Sequence, residues 1–98
     1  MASANITISP DLLRGKASDV RTIRGQHDEA MQKLDALIMS LEEVYNSDSQ
    51  RAFVERYQGM KTTFTQFSEL LEKYAADLDT AAKSFEDLDV QLAAQNKQ

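Results

Sequence analysis

At 98 residues, with 28% charged and 42% hydrophobic side chains, the chain is long enough for one domain with a modest core and too apolar for a disordered segment. A formal charge of −5 with no basic patch excludes the counterion-releasing surface that nucleic acid or an anionic membrane requires. With no cysteine, a disulfide framework and thiolate chemistry are excluded as well.

Ile6 and Ile8 read as a short extended arm. A first helix follows over 10–44: Ser9 can cap the free backbone N–H groups, Pro10 suits the first helical position, and Asp11 complements the positive end of the helix dipole. Leu13, Ala17, Val20, Arg24, His27, Met31, Leu34, Ile38, Leu41 and Tyr45 recur at steps of four and three, a rhythm broken in character only by Arg24 and His27. A second stripe, Ile23, Ala30, Leu37 and Val44, repeats every seven residues beside the first. Two adjacent stripes make a face wide enough for more than one neighbouring helix.

The turn falls at 45–49, where Tyr45, Asn46 and Ser47 lead into short polar side chains that compete with continued helix. Ser47 and Gln50 have capping-box spacing, so a second helix opens near Asp48 and occupies about 50–94. Phe53, Tyr57, Met60, Phe64, Phe67, Leu71, Tyr74, Leu78, Ala81, Phe85, Leu88 and Leu92 keep the four-and-three rhythm along it, and every charged residue from Glu55 to Asp89 falls between them. The pattern predicts an all-α fold: one domain over 1–98, an antiparallel two-helix hairpin that pairs into a four-helix bundle. The expected partner-binding seam comprises Val20, Met31, Leu34, Ile38, Leu41, Phe53, Tyr57, Met60, Phe64, Phe67, Leu71, Tyr74 and Leu78. At about 1.5 Å per residue the helices differ in length by roughly 20 Å, so the tail of the second should project. Gly15, Gly25 and Gly59 lie inside the helices, where close approach of another backbone or local fraying would account for them.

Nothing in the pattern points to catalysis. His27 stands alone without metal-ligand spacing, Asp77 and Asp79 diverge on a helix, and no glycine-rich loop could cradle phosphate. The expectation is no enzyme activity, no cofactor and no metal. No apolar run reaches the roughly 20 residues of a bilayer span. Met1–Asn5 also lacks the character of a leader, so a cytoplasmic chain that leaves the cell would do so without a cleaved signal peptide.

The tail carries the more specific signal. Phe85 and Asp89 share one helix face with Leu92 three residues further on, and such an aromatic, carboxylate and leucine form a compact epitope for helix-in-groove docking. Structurally, Phe85 and Leu92 also simply continue the stripe.

These features together resemble the WXG100 family, small helical hairpins of type VII secretion systems, over nearly the whole chain. The likeness rests on length, the Ile6-x-Ile8-x-Pro10-x-x-Leu13 opening, the single central turn and the tail. The family's Trp-x-Gly turn corresponds to Tyr45-Asn46-Ser47, with Phe53 at the family's eight-residue interval. Its aromatic-xxx-Asp/Glu export motif corresponds to Phe85-xxx-Asp89, extended by Leu92, while the last apolar position of the family pattern is Asn96. A tail of this kind without the Trp-x-Gly turn resembles the small helical partners of LXG toxins. That resemblance implies a targeting factor that binds the helical N-terminal domain of an LXG toxin, or another small helical protein, and presents the export signal to the secretion-system ATPase. A homodimeric secreted substrate of the same system is the alternative, and a plain structural bundle the third reading.

Overall fold

The computed structural model describes residues 9–96, so the Ile6 and Ile8 arm lies outside the described residues. Two helices, α1 (Pro10–Val44, 35 residues) and α2 (Asp48–Asn96, 49 residues), run antiparallel. At about 1.5 Å per residue α2 is about 74 Å long, which accounts for the 76 Å long axis of the molecule.

Each boundary has a local cause. Ser9 is extended, its Oγ accepts a hydrogen bond from the Leu12 N–H (3.3 Å), and Pro10 begins the helix where no N–H is needed. At the other end Tyr45 leaves helical geometry (φ −138°, ψ 105°) while its N–H still bonds Leu41 O at 2.7 Å. Ser47 Oγ then accepts from the Gln50 N–H (3.1 Å) and Ser47 O from the Arg51 N–H (3.0 Å), which starts α2. The Arg51 guanidinium reaches Asn46 and Asp48 and ties the connection together. Among the described residues none has a positive φ. The chain therefore reverses direction at Tyr45–Ser47 without the left-handed conformation that would call for glycine.

The hairpin core is one strip wide. On α1 it follows the first stripe from Leu13 through Ala17, Val20, Arg24, His27, Met31, Leu34 and Ile38 to Leu41, all buried or half-buried. On α2 the inward strip is Gln50, Val54, Tyr57, Lys61, Phe64, Ser68, Leu71, Ala75, Leu78, Ala82 and Phe85. The twelve-position stripe read from the sequence of α2 is thus two stripes. Tyr57, Phe64, Leu71, Leu78 and Phe85 face α1, whereas Phe53, Met60, Phe67, Tyr74 and Leu88 remain between 47% and 55% exposed. The other inward positions belong to Lys61, Ser68, Ala75 and Ala82, which a search for large apolar residues passes over. The serine and alanines allow close helix approach, with Ala17, Ala75 and Ala82 completely buried, whereas half-buried Lys61 extends to Asp35. Among the described residues no larger side chain is completely buried, and Ile38 (4%) and Tyr57 (5%) come nearest.

The helical glycines do not owe their small size to hairpin packing. A Cβ added to Gly15, Gly25 or Gly59 meets nothing within 4 Å. Replacing Gly59 by alanine removes the backbone-entropy cost of a mid-helix glycine and should stabilise the free chain by about 1 kcal/mol, or roughly 4–8 °C in melting temperature. Thermal unfolding followed by circular dichroism checks this; an unchanged or lower midpoint would show that the position is constrained by something outside the hairpin.

Candidate interaction surface

An antiparallel hairpin has two flanks, one on each side of its inward strip. On the first flank lie the residues that follow Leu13, Val20, His27 and Leu34 on α1, and Leu71, Leu78 and Phe85 on α2. All are charged, and all but Asp28 form ion pairs across the helices. Arg14 donates to Glu86 through Nη1 and Nη2 (3.1 and 2.7 Å), and Arg21 bonds Glu72 (3.0–3.3 Å) and Asp79 (2.7 Å). Further along, Lys61 pairs with Asp35 (3.1 Å) and the Tyr57 hydroxyl donates to the same carboxylate at 2.6 Å. Lys61 also stands 5.6 Å from the centre of the Tyr57 ring.

The two polar residues inside the α1 stripe have partners of the same kind. Arg24 Nε donates to Ser68 Oγ at 2.9 Å and Nη1 to Glu72 at 3.2 Å, which explains a guanidinium within the strip. The His27 ring meets the Phe67 ring edge-on at 5.3 Å and lies 3.2 Å from an Asp28 carboxylate oxygen. Sequence periodicity marks where these residues sit but not whom they meet, and it misses the Tyr57–Asp35–Lys61 cluster and the Arg24–Ser68 bond altogether.

These contacts set the response to pH. Arg21, then Arg24, holds the Glu72 carboxyl below the usual carboxylate range; Arg14 does so for Glu86, and Tyr57, then Lys61, for Asp35. Because the folded values lie below the unfolded ones, this stabilisation is complete above the ordinary carboxylate pKa of about 4 and is lost as pH falls through the lower folded values. The Tyr57 phenol is displaced the other way, pushed up to about 12 by the hydrogen bond it donates to Asp35 and then by burial. Its contribution is complete below the ordinary tyrosine pKa of about 10 and is lost as pH rises toward the folded value. The melting temperature should drop below about pH 4, less steeply in Glu72→Gln, which starts lower at neutral pH. An ultraviolet titration should show a phenolate step at about 12 that Tyr57→Phe abolishes. A wild-type titration complete by about pH 11 would contradict the Tyr57–Asp35 bond.

The second flank is apolar. Because the charged residues after the inward strip pair across the helices on one side, the residues before it share the opposite side. These are Ile23, Ala30, Leu37 and Val44 on α1, and Phe53, Met60, Phe67, Tyr74, Ala81 and Leu88 on α2. All except Ala81, which is half-buried, are exposed. The second α1 stripe of the sequence and the outer half of the α2 stripe thus join into one surface along most of the hairpin. The chain exposes 7720 Å², where a compact monomer of its mass exposes about 5,600 Å². The surplus reflects an elongated hairpin with its flanks uncovered.

The seam residues named from sequence therefore divide. Val20, Met31, Leu34, Ile38, Leu41, Tyr57, Phe64, Leu71 and Leu78 are used within the hairpin, while Phe53, Met60, Phe67 and Tyr74 lie on the open flank. At the turn end Tyr45 is half-exposed and helps line a cavity with Glu42, Asn46, Gln50, Arg51, Val54 and Glu55. Within this end of the molecule, Gln50 Nε2 is buried without a hydrogen-bond partner. At the opposite end, Phe85, Asp89 and Leu92 prolong the inward strip of α2 as it passes the start of α1. Phe85 is half-buried, and Asp89 and Leu92 are exposed. Ser47 caps α2 through its hydroxyl, a role that glycine at this position could not fill.

Residues 5–90 match the family model described as "Proteins of 100 residues with WXG". The chain belongs to the WXG100 family. The match takes in the turn, the apolar flank, Phe85 and Asp89. YukE of Bacillus subtilis is 27% identical over 90 residues, 92% of this chain and 93% of YukE. EsxA of Geobacillus thermodenitrificans superposes with a TM-score of 0.83 at 28% identity, covering 90% of this chain and 96% of EsxA. EsxB of Bacillus anthracis str. Sterne, described as a secreted protein, gives 0.76 at 26% identity over 87% of this chain and 97% of EsxB. The WXG100 hairpin is therefore shared across its length, in a chain that contains no tryptophan.

Proposed function

We propose that this WXG100 chain is a non-enzymatic targeting partner of a Gram-positive type VII secretion system. It binds the helical N-terminal domain of an LXG toxin through the apolar flank, and Phe85 with Asp89 and Leu92 presents the complex to the secretion-system ATPase. The carrying observation is the continuous apolar surface from Val44 and Phe53 at the turn to Ile23 and Tyr74 beyond mid-hairpin, which a pair of partner helices would complete as a four-helix bundle. That EsxB of Bacillus anthracis is a secreted protein supports passage of this chain out of the cell. Among the described residues no helix is long and apolar enough to cross a membrane.

Co-expression with the N-terminal domain of a neighbouring LXG toxin should give a stoichiometric complex. Met60→Asp and Leu37→Asp, both on the flank and outside the hairpin strip, should retain helicity and each weaken that complex by about 30-fold or more, the loss of a central interface contact of about 2 kcal/mol. Unimpaired binding by both variants would remove the flank from the interface. In a secretion-competent strain, Phe85→Ala and Asp89→Ala should lower the amount of protein in the supernatant. Normal export by folded variants would eliminate the signal.

The self-contained apolar flank also supports a homodimeric WXG100 secreted substrate, since a second copy offers the same two stripes. Solution mass separates the readings: a stable particle of twice the 11.0 kDa chain favours the homodimer, and a monomer that binds the toxin domain favours the targeting partner.

A further inference from the structure

Near the open end of the hairpin, where Leu13 and Phe85 are half-buried, the last ion pair between the helices among the described residues is Arg14–Glu86. The two Arg14–Glu86 hydrogen bonds, 2.7 and 3.1 Å, are accompanied by a longer 3.4 Å contact from Arg14 to Asp11 in the first turn of α1. Among the described residues no ion pair joins the two helices beyond Glu86. The inward strip adds little there, since Ala82 is the last fully buried side chain of α2. From Asp87 to Asn96, α2 then continues for about 15 Å. Glu86 is the chain neighbour of half-buried Phe85 and lies one turn before exposed Asp89.

We propose that Arg14 is the positioning residue of the tail epitope. By holding Glu86 against the first turn of α1, it fixes the rotation of the last turns of α2. Phe85 stays seated against α1 while Asp89 and Leu92, on the same face one and two turns further on, stand exposed where the strip passes the start of α1. A helix end with so few contacts opens at little cost, and a docking protein that must first order it loses affinity. A bidentate guanidinium–carboxylate pair sets orientation as well as distance, which a lysine at position 14 would not reproduce. This role rests on the reading of Phe85, Asp89 and Leu92 as the export signal.

The test uses the full-length chain in a secretion-competent strain, with Arg14→Ala, Glu86→Ala, the reversed pair Arg14→Glu with Glu86→Arg, and Asp89→Ala as the reference. Each single change at this pair should reduce export about fivefold or more and speed amide exchange over 87–96 about tenfold, with the melting temperature within about 2 °C of wild type. The reversed pair should restore both exchange and export. Normal export and exchange in Arg14→Ala would overturn the proposal. So would a reversed pair that recovers slow exchange but not export, because Glu86 would then itself be recognised. If Asp89→Ala also exports normally, the failure belongs to the signal; if Asp89→Ala blocks export and Arg14→Ala does not, Arg14 has no positioning role.

Discussion

Two helices in contact can shield only one strip of each other, and everything else about this chain follows from how it treats the two flanks left over. On one flank Arg14, Arg21, Glu72, Asp79 and Glu86 pair across the helices and accept water. On the other, Ile23, Leu37, Val44, Phe53, Met60, Phe67 and Tyr74 stand about half to four-fifths exposed. Hydrophobic burial grows with the apolar area removed from water, and a hairpin whose completely buried side chains are alanines leaves these flank residues without that gain.

The polar flank settles which side remains open and keeps the helices in register. Exposed ion pairs add little stability one by one, but a misaligned hairpin would place like charges together and leave Arg24 without Ser68 and Glu72. The buried hydroxyl of Tyr57 works similarly, because only the observed register brings it to Asp35. The shifts at Tyr57, Glu72 and Glu86 are thus signs of alignment. Their carboxylates and hydroxyl are occupied in holding one helix to the other.

Much of this was legible in the sequence, and the exceptions have physical reasons. Ser9-Pro10-Asp11 and Ser47 with Gln50 act over three or four residues, so the start of α1 and the opening of α2 follow from local chemistry. The four-and-three rhythm identified the hairpin and, on α1, separated the inward strip from the Ile23–Val44 stripe. On α2 the same reading merged two stripes, because the large residues at 60, 67 and 74 face outward while Lys61, Ser68, Ala75 and Ala82 turn in. Hydrophobicity ranks residues by size and apolarity, whereas close helix packing favours small ones. The cross-helix partners of Arg14, Arg24 and Tyr57 depend on register over 22 or more residues, which periodicity does not encode. The spacing of Phe85, Asp89 and Leu92 was visible, but its relation to the start of α1 required the fold.

The most direct test of the open flank uses the absence of native cysteine. Single cysteines at Met60 on the apolar flank and at Thr65 on the polar flank are labelled with a soluble maleimide, first in the isolated chain under dilute conditions and then in the complex recovered from secreting cells. The account predicts that the complex protects position 60 and leaves position 65 reactive. Equal reactivity at position 60 in both states, or protection confined to position 65, would contradict it.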